Sequence, residues 1–159
     1  SEAFVLIARC AGIDVLCETG TLYGGPHEWN RVKVENNWSI IDITNNDNDG
    51  IVNCLLNVTD AQVKEILVPD NTSYLDGFKI QATDGSKEFY FVNGKSANNM
   101  TEAASIIATQ LNSNNTAVVR VPNGTSDAEF QKLFEVLIKE KGIQLKEAYM
   151  LFNVMYLEK

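Results

Sequence analysis

A long apolar run is missing from this chain: no stretch approaches the roughly 20 residues that a spanning helix needs, so membrane insertion is not expected. A basic cluster is missing too. Nucleic-acid binding relies on Lys and Arg neutralising phosphates, and here 21 acids against 13 bases give a formal charge of −8. The same sign disfavours anionic lipid; beyond solubility the acidity carries no message. Cysteine is sparse, with Cys10, Cys17 and Cys54 only. They show neither C-x-x-C spacing nor a histidine at zinc-site spacing, so no disulfide framework and no metal site are expected, and no motif calls for a cofactor. Cys10 and Cys17 fall in apolar segments and read as small packed hydrophobes. No signal-peptide pattern opens the chain. It starts directly on the helix-like stretch Ala3–Ala8, which reads as a start inside a domain, with any export signal upstream.

What is present suits one ordinary domain or two small ones: 159 residues, 45% hydrophobic and 21% charged. Phe4, Ile7, Ala8 and Ala11 recur at helical spacing, and Gly12 stops a helix over 1–11. Ile13–Thr19 reads as a strand, Gly20–Pro26 as a loop, and Trp29–Val34 and Trp38–Ile43 as two strands around a turn at Glu35-Asn36-Asn37. Ile51–Leu56 reads as a further strand, and Thr59 or Asp60 caps a short helix over Ala61–Ile66. A boundary is expected at Pro69–Ser73, between a unit at 1–70 and another at 75–159. In the second, Phe78–Ala82 and Glu88–Val92 read as strands around Asp84-Gly85-Ser86. Thr101 caps a helix to Leu111, Ala117–Val121 is a strand, Ser126 or Asp127 caps a helix through Lys141, and Ala148–Leu157 is a final strand. The fold class is α+β: a helix with an antiparallel sheet, then a small α/β subdomain.

The one histidine, His27, stands in Gly24-Gly25-Pro26-His27-Glu28-Trp29-Asn30 at the entrance to a strand, and Asp42 follows 15 residues later in the neighbouring strand. A tight hairpin brings such positions together. A carboxylate beside an imidazole fixes its tautomer and stabilises its protonated form, as a base that activates a thiol requires. From spacing alone, a lone histidine with an ordinary turn aspartate is the plainer reading.

The wider pattern shifts that balance. Glu2-Ala3-Phe4 running into Ala11-Gly12-Ile13, then Gly20, then His27-x-Trp29-Asn30-x-Val32, then Trp38 and Asp42-x-Thr44, resembles the bacterial branch of the transglutaminase-like superfamily over Ser1–Asn57, about a third of the chain. The resemblance implies a cysteine acyltransferase or peptidase with a Cys-His-Asp site. His27 would be the general base and Asp42 its orienting carboxylate, with Trp29 packing under the hairpin, Asn30 satisfying local backbone groups and Trp38 in the core. It implies a protein or peptide substrate, no cofactor, and an extracellular or cell-surface bacterial location. Two departures stand out. Asp42-Ile43-Thr44 replaces the commoner Asp-Pro-Thr, and the family's Cys-x-Gly-Tyr nucleophile segment would lie immediately before Ser1. The expectation is therefore an N-terminally truncated core, inactive as written. A non-catalytic cell-surface protein-binding module on the same scaffold is the alternative. A helix cut short would leave an apolar side open to self-association.

Other signals are set aside. Asn45–Gly50 looks like the first half of a calcium loop, but position 56 is Leu56 where a bidentate Glu is needed, so a solvated turn is expected. Gly24-Gly25 has no lysine or helix at phosphate-loop offset. The lysines around the last helix, interspersed with acids, read as a solvated face.

Overall fold

The computed structural model describes residues 1–48, 50–71, 77, 78 and 80–159. The protein is mixed α and β, 33% helical and 30% strand, with a curled antiparallel sheet and a smaller second sheet. No helix among the described residues is long and apolar enough to cross a membrane. The chain divides into two compact units, 1–48 with 52–89 and 49–51 with 90–159. The boundary expected at Pro69–Ser73 lies partly outside the described residues, as do positions 75 and 76. The division itself comes later, between Phe89 and Tyr90.

In the first unit, helix α1 (Glu2–Cys10) carries Glu2 in its first turn and Arg9 in its last, the signs that suit the helix dipole. Arg9 donates to the Val15 carbonyl through both Nε (3.3 Å) and a terminal nitrogen (3.0 Å), tying the helix end to strand β1 (Val15–Leu22). Strand β2 (Gly25–Val34) pairs with β1 along its length, from Val15↔Val32 to Leu22↔Gly25. The loop expected over Gly20–Pro26 is thus a tight hairpin. Its two turn residues, Tyr23 and Gly24, take φ of 47° and 83°, the left-handed pair that matches strand twist. Strand β3 (Asn37–Ile41) follows, pairing from Val34↔Asn37 to Asn30↔Ile41. The strand expected over Ile51–Leu56 is not formed at 51–55; β4 runs instead over Leu56–Val58. Helix α2 (Asp60–Val63) starts on a capping box of Thr59 and Gln62, and β5 (Leu67–Pro69) closes the order β4-β3-β2-β1-β5.

Alternation along the strands sorts their side chains. Val15, Val32 and Ile41 face α1 and pack with Ala8, flanked by Phe4, Val5, Val34 and Leu56. His27, Trp29 and Arg31 fall on the other parity, with Glu18, Gly20 and Ile40 opposite or beside them. That second face holds a buried ionic network. Glu18 and Arg31 are each 2% exposed, and Glu18 Oε2 accepts from Trp29 Nε1 (2.7 Å) and Arg31 Nε (2.8 Å). Arg31 continues in a two-pronged bond to Asp60 (2.7 and 3.1 Å), whose Oδ2 also accepts the Ala82 N–H. Trp38, expected in the core, is only half-buried.

In the second unit, helix α4 (Met100–Ser113) and helix α5 (Asp127–Glu135) cover one face of a three-stranded sheet. The sheet has the order β6 (Thr116–Arg120), β8 (Val154–Glu158), β7 (Glu147–Leu151). Ser126 caps α5 through a capping box with Glu129. A π turn, Val136–Glu140, follows α5, and Gly142 ends it at φ 66°. Four expectations are corrected here. The cap of α4 is Asn99, whose side chain accepts the Glu102 N–H, and not Thr101. Phe89–Val92 is one turn of helix (α3), not a strand, because four apolar residues in a row suit either. Ile80–Ala82 is not strand, and residue 79 lies outside the described set. Ala148–Leu157 is a hairpin, turning at Phe152 and Asn153 with φ of 50° and 58°.

Candidate functional site

The hairpin of β2 and β3 carries His27 and Asp42 at its open end, on one face. His27 Nε2 lies 2.6 Å from Asp42 Oδ2. The imidazole is 18% exposed and the carboxylate 1%. A carboxylate only accepts, so Nε2 carries the proton and Nδ1 holds the lone pair. No described residue bonds to Nδ1, leaving it free to take a proton. The indole of Trp29 lies stacked along the His27 ring, centroids 6.4 Å apart, which limits how far the imidazole can swing. Since Trp29 is itself bonded to Glu18, the ionic network stands directly behind the histidine.

Asp42 lies where β3 leaves β2. The last β2–β3 pair is Asn30↔Ile41, and the Asp42 N–H turns to the Leu55 carbonyl (3.1 Å). In the splay so opened, the Glu28 carbonyl accepts the Ser1 hydroxyl (2.9 Å). Asn30 Nδ2 reaches the Ser1 carbonyl (3.2 Å) and the Leu16 carbonyl (3.3 Å). The N-terminus of α1 is therefore fastened to β2 one residue from the histidine. Asn30 Oδ1 is buried and has no hydrogen-bond partner among the described residues.

No protein-family model matches the chain, and no curated protein does. The site must be read from its own chemistry.

The chain's thiols do not complete it. Cys10 and Cys17 are exposed, not packed as their apolar neighbours suggest, and the buried cysteine is Cys54. Cys10 lies on the outward side of α1, and Cys17, on the same side of β1 as Val15, is exposed all the same, which the apolar run concealed. Burial first, and then the Glu28 carboxylate, push the Cys17 thiol above its ordinary value. Its Sγ lies 3.9 Å from Glu28 Oε2. A thiol so placed is a poor nucleophile near neutral pH. We expect Glu28→Gln to speed iodoacetamide labelling of Cys17 a few-fold at pH 8, read by peptide mass spectrometry; an unchanged rate would remove the carboxylate from the account. Among the described residues no group of three or more His, Cys, Asp or Glu could hold a metal ion.

Sequence reasoning named His27 and Asp42 but missed their surroundings. Glu18, Arg31 and Asp60 carry no motif. Glu18 pairs opposite Trp29 and Arg31 stands two residues further along β2, a relation visible only once the strands are paired.

Proposed function

We propose that the first unit carries the proton-transfer half of a transglutaminase-like Cys-His-Asp acyl-transfer site, acting on a protein or peptide at a bacterial cell surface. The observation that carries this reading is the 2.6 Å His27–Asp42 bond with Nδ1 left open, on the strand whose neighbouring Glu28 carbonyl fastens Ser1. In the reaction a thiolate attacks a carboxamide carbonyl, and a thioester forms as the amine or ammonia leaves. Water or a second amine then resolves the thioester. His27 Nδ1 takes the thiol proton, hands it to the leaving nitrogen and, in the second half, takes one from the incoming nucleophile. Asp42 holds Nε2–H and stabilises the imidazolium between these steps. The nucleophile belongs on the residues leading into Ser1, where a helix N-terminus favours thiolate.

The test uses a chain extended upstream of Ser1 and treated with iodoacetamide across pH. One thiol ahead of Ser1 should label fast, and His27→Ala should slow that thiol and any transamidation by about 10²–10⁴-fold with the fold intact. Slow, equal labelling of every cysteine defeats the acyl-transfer reading. A non-catalytic protein-binding module would then stand, a reading favoured by one observation: none of Cys10, Cys17 or Cys54 hydrogen-bonds to His27.

A further inference from the structure

The asparagine-rich stretch after Asp42, read from sequence as a solvated turn, is a folded part of the site. Residues Thr44–Asn46 form a turn of 3-10 helix. Asn45 directs its side chain back at the catalytic pair: Nδ2 donates to Asp42 Oδ2 (2.7 Å), the oxygen that also holds His27, and its backbone N–H donates to Asp42 Oδ1 (3.2 Å). Asn45 Nδ2 also lies 3.2 Å from His27 Nε2, a contact rather than a bond while Nε2 carries its proton.

The turn is anchored from below. The Asn45 carbonyl accepts the buried Cys54 thiol (2.9 Å) and the Asn48 amide. Asn46 accepts the Leu55 N–H on its side chain (2.7 Å) and the Asn53 N–H on its carbonyl (2.9 Å). Such an arrangement does chemical work that a solvated loop would not. Asp42 is almost wholly buried, and a buried carboxylate stays ionised and oriented only when hydrogen bonds replace its lost water. Of the hydrogen bonds to its side chain from described residues, two come from Asn45 and one from His27.

We infer that Asn45 is a positioning residue for the His27–Asp42 pair, with Asn46, Asn48 and Cys54 as its scaffold. It touches no reacting atom under the proposed mechanism. It fixes the carboxylate rotamer, and through it the ring nitrogen that stays protonated. The inference rests on the acyl-transfer reading only for its catalytic consequence, since the geometry can be tested without turnover.

The chain has one histidine, so a long-range 1H–15N spectrum shows one imidazole. In the unsubstituted chain His27 should be the Nε2–H tautomer with a visible Hε2 resonance. One Asn45 side-chain amide proton should exchange roughly tenfold more slowly than those of exposed Asn36. Asn45→Leu keeps the branched side-chain shape and removes the donor. It should speed Hε2 exchange by roughly tenfold or populate the Nδ1–H tautomer, while the other amide signals stay in place. A folded Asn45→Leu chain with unchanged His27 signals overturns the inference. So do equal exchange rates at Asn45 and Asn36, a measurement that survives even if the variant does not fold. Iodoacetamide labelling of the extended chain reports separately on the acyl-transfer reading: normal His27 and Asn45 spectra with no fast thiol would sink that reading and leave the positioning role standing.

Discussion

Arg31→Met should cost about 3–5 kcal/mol of stability, the largest loss expected from a single side chain here. The substitution keeps most of the volume but strips the cation from Glu18, which is 2% exposed and cannot regain water without opening the sheet. Burial, the largest influence on Arg31, pulls its proton affinity down. The Asp60 hydrogen bonds and the Glu18 and Asp60 charges more than offset it, so the guanidinium is held above its ordinary value. It remains charged at any pH the fold survives, and the loss on removing it should be insensitive to pH between 6 and 9. Urea denaturation of the variant measures the effect. The double variant Glu18→Gln, Arg31→Met removes both charges but leaves an amide oxygen for Trp29 Nε1, and should recover more than half of the loss. A single variant within about 1 kcal/mol of the parent would mean the pair behaves as exposed pairs do.

Gly20→Ala should be nearly as damaging, for a steric reason. A Cβ at position 20 would lie 2.2 Å from the Val68 carbonyl oxygen, 2.8 Å from Pro69 Cα and 2.7 Å from the rim of the Trp29 indole. Two of those atoms are backbone and yield only if β5 moves off β1. We expect a loss of about 3 kcal/mol or more, with faster amide exchange across the Thr21↔Val68 and Leu22↔Leu67 pairs. Gly25→Ala is the control, because its nearest neighbour is the Leu22 oxygen at 3.6 Å, ordinary contact, and it should stay within about 0.5 kcal/mol. Equal stability of the two variants would show that β5 is not tightly docked. Gly20 also pairs with His27, so the displaced indole should disturb the imidazole.

The sequence disclosed the hairpin that joins His27 to Asp42 because two alternating apolar segments flank a short polar turn. It disclosed the starts of α2 and α5 because a hydroxyl cap with Gln or Glu three residues on has a direct hydrogen-bond meaning. Turns built on other residues stayed hidden. Tyr23 and Phe152 each open a left-handed two-residue turn without the usual Asn-Gly or Gly-Gly, so one hairpin looked like a loop and another like one long strand. The buried charges were illegible for a different reason. Glu18 and Arg31 look like solvent-facing alternation within strands, and only the sheet pairing reveals that their face is covered. Trp38 erred the other way: its size suggested core, yet it lies near the far end of β3, where cover runs out. Asn45 was hidden by company, since four asparagines between residues 45 and 53 average to a loop composition although each makes a distinct bond.

The open end of the β2–β3 hairpin sets the geometry of His27 and Asp42, while its turn at Glu35 and Asn36 lies at the opposite tip. Residues added there in matched pairs, one to each strand, would lengthen the ribbon without rotating either functional side chain. The interval between imidazole and carboxylate is thus a ruler for ribbon length alone, free to grow by even steps. An odd step would demand a bulge or a different turn to keep both groups on the same side.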